Sequence, residues 1–335
     1  MTLTTRYLGL TLAHPIVASA SPLTATVDGM RRLEDAGAAA VVMASLFEEQ
    51  IRAEDTAYAL LTEHGSNSQA EASNYFPELA DYNAGVSGHL ETVRLASEAL
   101  DIPVIASLNG TTAEGWIEHA RSLEQAGARA IELNVYSVPI DAAVSGAEVE
   151  RRTLDIVREV RSSVQIPISI KLAPYFTSLP HFAADLVRAG ADGLVLFNRY
   201  YAPDIDLTTL KMTRSLPLST KAELPLSLVW IGLLSRRVPC SLAASRGVET
   251  EVEVVKYLLA GAHVVMTTSA LLRRGPEHLG VMRDGLARWL AENRFESVEA
   301  MRGLKDASRV ADVDAFLRAQ YVAALTDYVP GKLVQ

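Results

Sequence analysis

Two strand signatures alternate along this chain without exception. Four segments run from a proline into a short apolar stretch that ends polar: HPIVASAS (14–21), IPVIASLNG (102–110), IPISIKLAP (166–174) and VPCSLAASRG (238–247). Four others open on Ala-Gly-Ala and continue apolar: AGAAAVVMAS (36–45), AGARAIELN (126–134), AGADGLVLFN (189–198) and AGAHVVMTTS (260–269). Ala-Gly closes a helix through a left-handed cap, after which the chain turns into a strand. Apolar runs without clean alternation suit parallel strands buried on both faces.

Amphipathic stretches lie between the strands, among them TVDGMRRLEDAG, AEGWIEHARSLEQAG, SLPHFAADLVRAG and TEVEVVKYLLAG. Eight strands with helical crossovers predict an α/β fold of the closed (β/α)8 barrel type, the TIM barrel, over residues 1–276. Two connections exceed plain crossovers: 46–93 after strand two and 199–237 after strand six. Both leave C-terminal strand ends, so both are expected to cover the barrel mouth. Residues 277–335 show no further strand pattern and read as C-terminal helices packed on the barrel in the same domain, with VADVDAFLRAQYVAALTDY the clearest amphipathic stretch.

With a formal charge of −9, the chain offers little to a phosphate backbone or an anionic membrane. Its one cysteine, Cys240, is incompatible with an internal disulfide framework or a cysteine metal cluster, and seven scattered histidines form no metal-ligand spacing. No secretory start and no run of about 20 apolar residues is present, which leads to the expectation of a soluble, cytoplasmic protein.

Active sites of such barrels sit at the C-terminal strand ends. Those ends carry Ser19–Ala20, Met43, Asn109, Asn134 with Tyr136 and Ser137, Lys171, Asn198–Arg199, Ser245–Arg246–Gly247 and Thr268–Ser269. Three asparagines and a lysine on one mouth suit a planar, hydrogen-bonding ligand with an anionic tail. The loops after strands seven and eight are the usual phosphate site of the fold, although Ser245 and Ser269 would serve equally as helix caps. Lys171 poses a question of its own: an ammonium at the end of a buried strand is costly unless an anion or solvent meets it.

In order and spacing, PIVASASPLT, AIELNVYSVP, IKLAPYF, LVLFN, SRGVET and MTTSALLRRGPEHL resemble the dihydroorotate dehydrogenase family of FMN-containing barrels, and most nearly its bacterial dihydroorotate dehydrogenase-like subgroup. The resemblance spans about residues 3–280. It implies an FMN-dependent oxidoreductase acting on a CH–CH bond of a small polar substrate, with a place in pyrimidine biosynthesis. It implies that Lys171 approaches the flavin and stabilises charge on its reduced form. Ser19, Ala20, Asn109, Asn134 and Asn198 would line the flavin, and Ser245, Arg246, Gly247, Thr268 and Ser269 its phosphate. Ser137 falls at the family's catalytic base, and Asn134 and Asn198 would also face the substrate. A homodimer is implied too, and an electron-transfer partner protein is compatible with it.

The chain departs from the family chiefly on the substrate side. The family's lysine at the end of strand two is matched here to Met43, its base triplet reads SVPI, and only Asn74 stands near the family's glycine-rich substrate loop. Arg199 could supply a replacement charge. The chain also lacks the N-terminal helix pair of the quinone-using, membrane-associated class. Two other readings remain open at this point. One is a lyase or aldolase in which Lys171 forms a Schiff base, with Tyr175 or Ser137 as its partner. The other is a non-catalytic FMN-binding subunit of a redox assembly.

Overall fold

The computed structural model describes residues 1–48, 85–110, 116–136, 138–199, 204–212 and 217–327. The eight expected strands form: β1 Ile16–Ala18, β2 Val41–Val42, β3 Val104–Gly110, β4 Ala130–Val135, β5 Ile168–Leu172, β6 Gly193–Leu196, β7 Ser241–Ala244 and β8 Val264–Thr267. All are parallel, each pairs with the next, β8 pairs back with β1, and β2 with β3 completes the ring. The barrel is therefore closed.

Around it run α1 Val27–Asp35, α2 Val86–Ala99, α3 Trp116–Gln125, α4 Gly146–Ser163, α5 Leu179–Ala189, α6 Leu224–Leu234, α7 Glu251–Ala260, the short α8 Ser269–Arg274 and α9 His278–Glu292. The glycines of the four Ala-Gly-Ala motifs have positive φ: Gly37 at 91°, Gly127 at 99°, Gly190 at 112° and Gly261 at 115°. A Cβ is disfavoured there, so glycine lets each helix stop and the chain re-enter the sheet.

Side chains separate cleanly by strand parity. Ile16, Ala18, Val41, Met43, Ile131, Leu133, Ile170 and Leu172 face outward into the layer beneath the helices. Val17, Val42, Ile105, Ala130, Val195, Ala243, Val264 and Met266 fill the barrel interior. An antiparallel hairpin, Thr5–Tyr7 against Leu10–Leu12, adds Tyr7, Leu8 and Leu12 to that interior from the N-terminal end. Its turn, Leu8–Gly9, has φ of 52° and 74°, as a two-residue hairpin loop requires. A Cβ on Gly193 would lie 2.6 Å from the Leu8 side chain, so glycine there leaves room for the plug.

Helix α9 packs on α7 and β1, and α10 (Val298–Met301) buries Val298 and Met301. By contrast α11 (Val313–Thr326) has no buried residue, although the sequence reading packs it on the barrel. The connection after strand six contains a further small hairpin, Ile205–Asp206 with Lys211–Met212.

His14, 5% exposed, locks β1 to the end of α1: Nε2 donates to the Gly37 carbonyl at 2.8 Å and Nδ1 accepts from the Ile16 amide at 3.3 Å. Both bonds together require neutral imidazole, and burial pushes the pKa down to about 4. In the unfolded chain the group titrates near 6.5. Its contribution is thus complete above about pH 6.5 and is lost as pH falls through 4. Stability should fall by roughly 3 kcal/mol over that window, read in thermal melts. His14→Gln should flatten the profile, and an unchanged profile would remove His14 from the account.

Candidate active site

A cavity of about 770 Å3 opens at the C-terminal ends of the strands. It gathers residues more than 200 positions apart because strand parity turns every second side chain inward. The inward series ends in Ser19 beyond β1, Asn109 on β3, Asn134 on β4, Lys171 on β5, Ser245 beyond β7 and Thr268 beyond β8, and Phe197 beyond β6 also lines the cavity. Ala20, Asn198, Arg199, Arg246, Gly247 and Ser269 line the same cavity.

Lys171 is 9% exposed, and its ammonium meets an anion from within the protein. Nζ donates to Glu132 Oε1 at 3.1 Å and to Ser19 Oγ at 3.5 Å. The sequence places Glu132 inside strand four but does not pair it. Asn198 Nδ2 donates to Asn134 Oδ1 at 3.0 Å, and Asn198 Oδ1 accepts from the Arg199 amide at 2.8 Å. These amides are thereby fixed in orientation before any ligand arrives.

At the other end of the cavity, neither serine caps a helix. Ser245 Oγ donates to the Phe197 carbonyl at 2.7 Å. Ser269 Oγ accepts from the Ser219 amide and hydroxyl at 3.0 and 2.9 Å, pinning the loop before α6 to the start of α8. Helix α7 starts on a capping box, in which Glu253 Oε2 accepts from the Thr250 amide at 2.8 Å, so Thr250 and Glu253 serve the helix rather than a ligand. Gly247 has φ 66°, and a Cβ there would sit 2.8 Å from the Leu224 nitrogen, so only glycine fits the loop.

Arg246 also has positive φ, 81°. Its guanidinium donates to the Asn198 carbonyl at 3.2 Å and pairs with Glu223, which also lies 3.9 Å from Arg199. Its charge is committed to a carboxylate, a partner not foreseen from the sequence. Arg246 Nε is buried without a hydrogen-bond partner among the described residues.

Not every expected residue reaches the cavity. Met43, 1% exposed, faces outward into the layer under the helices, because parity puts Val42 and then Ala44 inward. Ala44 and Ser45 line the cavity in its place, and Ser45 Oγ bonds Ser107 Oγ at 2.8 Å. Ser137 and Asn74 lie outside the described residues. Tyr136 lines the cavity, whereas Tyr175 is 67% exposed and does not.

A second cavity, about 820 Å3, lies at the N-terminal end beside Cys240, Ser241 and His263. Its charges pair locally, Arg302 with Glu299 and Arg236 with Asp306, and burial pushes the Cys240 thiol up to about 12. Its lining holds neither a lysine nor an asparagine.

The donor set at the mouth fits a flavin mononucleotide. A buried cation and three amides line one region, and hydroxyls with a glycine loop line another, in a volume suited to a cofactor. A family model described as dihydroorotate dehydrogenase matches residues 73–290. The chain is 32% identical over 229 residues to the dihydroorotate dehydrogenase B (NAD(+)) catalytic subunit of Methanothermobacter thermautotrophicus, covering 66% of this chain and 74% of that protein. It is 33% identical over 212 residues to a putative dihydroorotate dehydrogenase A (fumarate) of Aeropyrum pernix, covering 62% and 68%. It is 26% identical over 308 residues to a dihydroorotate dehydrogenase B catalytic subunit of Thermoplasma volcanium, covering 90% and 98%.

Proposed function

Since the chain belongs to the dihydroorotate dehydrogenase family, we propose that it binds FMN in the mouth cavity and oxidises a CH–CH bond of a small polar substrate there. It is a flavin-linked oxidoreductase of the dihydroorotate dehydrogenase type, and proteins of this family bind FMN. The observation that carries the reading is Lys171: a lysine with little exposure, ion-paired from below, presented to a cavity otherwise furnished with amides and hydroxyls.

When bound, FMN supplies the hydride acceptor. Lys171 would stabilise negative charge as it develops on the ring, a preorganised contribution that needs no reorganisation during reaction. Ser19, Ala20, Asn109, Asn134 and Asn198 would hold and orient the ring and ribityl chain. The Ser245–Gly247 and Thr268–Ser269 loops would hold the phosphate, with Arg246 bracing the first of them. Ser137 is assigned as the base that takes a proton from the substrate carbon. A serine hydroxyl is a weak base and needs a neighbour to pass the proton on. Arg199 and Ala44 mark the substrate side, and Asn74 keeps its sequence-based assignment to the substrate.

The Schiff-base reading loses support. It leaves the amides and the hydroxyl-lined glycine loop of the cavity without a role, and Tyr175, one of its two partners, is exposed outside the cavity. Relatives named as catalytic subunits support a partner that takes electrons away, and we assign the chain a homodimeric, cytoplasmic state. No helix among the described residues is long and apolar enough to cross a membrane.

The test is a visible absorption spectrum of the purified protein followed by anaerobic addition of dihydroorotate. A yellow protein bleached by dihydroorotate establishes cofactor and reaction together. A yellow protein left unbleached keeps the flavin and points to another substrate or to a non-catalytic subunit. A colourless protein that takes up no FMN defeats the assignment.

Arg246→Gly probes the phosphate loop. Glycine accepts φ 81° without strain, and the lost guanidinium charge is directed at Glu223. FMN affinity should therefore change by no more than about threefold, under ~1 kcal/mol, in a fluorescence titration. A tenfold loss would show that Arg246 contacts the phosphate directly.

A further inference from the structure

We propose that Glu132 is the positioning residue for Lys171, fixing the ammonium at the cavity floor and offsetting its charge so that the pair, not the lysine alone, sets the redox potential of a flavin bound there. This rests on the FMN reading above and goes beyond it, because Glu132 itself lines no part of the cavity.

Three observations carry it. First, the Glu132 side chain is 1% exposed and that of Lys171 10%, at 3.1 Å, so the pair is screened little by solvent. Second, Glu132 is not explained by stability. Its Oε2 is buried with no hydrogen-bond partner among the described residues, and Tyr7, which rises into the same interior from the hairpin plug, is turned toward Ser169. Exchanging a half-satisfied buried ion pair for apolar side chains is commonly neutral or stabilising. The interior immediately below is apolar, with Ile105, Ala130 and Val195. A carboxylate there acts on something else, and among the described residues its hydrogen bond goes to Lys171 Nζ.

Third, register holds Glu132 in place. It is paired across the sheet with Ser107 on β3 and Ser169 on β5, two residues before Lys171 on that strand. The carboxylate thus lies one layer below the ammonium and pulls it down. Without it, Nζ keeps one hydrogen bond among the described residues, to Ser19 Oγ at 3.5 Å, on a flexible four-carbon stem.

Glu132→Gln tests the idea, since it keeps the shape and an acceptor oxygen but deletes the charge. The midpoint potential of the FMN-loaded protein is measured at one pH by dye-equilibrated reduction, in wild type, Glu132→Gln, Lys171→Met and the double variant. In Glu132→Gln the ammonium is no longer offset. The reduced form should gain at least tenfold in the two-electron equilibrium, about 30 mV. In the Lys171→Met background the same change should give less than a third of that shift. A change under twofold, or a shift toward the oxidised form, overturns the proposal. An equal shift in both backgrounds overturns it too, because Glu132 would then act on the flavin directly. If Glu132→Gln does not fold, Glu132→Asp withdraws the carboxylate by one carbon and should raise the potential in the same sense by about threefold in the equilibrium; no rise overturns the idea. Wild-type protein that takes up no FMN defeats the cofactor reading itself, whereas FMN-loaded protein with an unmoved potential defeats only the role of Glu132.

Discussion

Lys171→Ala is expected to slow flavin reduction by about 10²- to 10³-fold, the usual loss when one preorganised stabilising group is removed. From the sequence alone this variant is expected to weaken flavin reduction far more than folding. The structure revises that expectation. Removing Lys171 strands Glu132, 0% exposed with one oxygen already unpartnered, and breaking such a pair from one side costs about 3–5 kcal/mol. Rate and stability should therefore fall together. Adding Glu132→Gln separates them, because the double variant no longer buries an unpaired charge. It should recover most of the stability in a denaturant titration and none of the rate in stopped-flow reduction. Recovery of the rate would remove Lys171 from the chemistry. A single variant as stable as wild type would show that the carboxylate finds another partner.

The barrel was legible because its punctuation is local. A proline before a strand or a glycine after a helix acts through its own backbone, and all four Ala-Gly-Ala glycines adopt the positive φ that the motif implies. The N-terminal hairpin was not legible, since its turn is Leu8–Gly9 rather than Asn-Gly, and Leu8 tolerates φ 52° while its side chain is buried over Gly193. At the site, the strand-end list was legible for the same reason that the barrel was. The partners of those residues were not. Glu132 meets Lys171, and Arg246 meets Glu223, only through register and loop packing that no single segment encodes. Met43 shows the sharpest limit: with a period of two, a slip of one residue moves a side chain from the cavity to the opposite face.

That slip makes a second prediction with a large effect and opposite outcomes at adjacent positions. If dihydroorotate binding in this family needs a cation at the end of strand two, the position to restore is Ala44. Met43→Lys would place an ammonium at a site 1% exposed in the apolar layer beneath the helices. Burying an unpaired charge there should cost several kcal/mol, seen as a fall in melting temperature or loss of soluble protein. Ala44 lines the cavity, and its amide donates to the Thr24 carbonyl at 3.3 Å, which anchors the backbone. A lysine on that inward face can extend toward the polar mouth with its stem against apolar wall. A hydrogen bond to a charged group contributes about 1.5–3 kcal/mol, so Ala44→Lys should tighten orotate binding roughly 10- to 100-fold, read as a perturbation of the flavin spectrum on titration. Tighter orotate binding by Met43→Lys with no loss of stability would invert the parity on which this account rests. An Ala44→Lys protein that folds, holds flavin and gains nothing toward orotate would instead locate the obstacle beyond strand two. The remaining departures, Val138 and Pro139 after the base, would then set a substrate other than dihydroorotate.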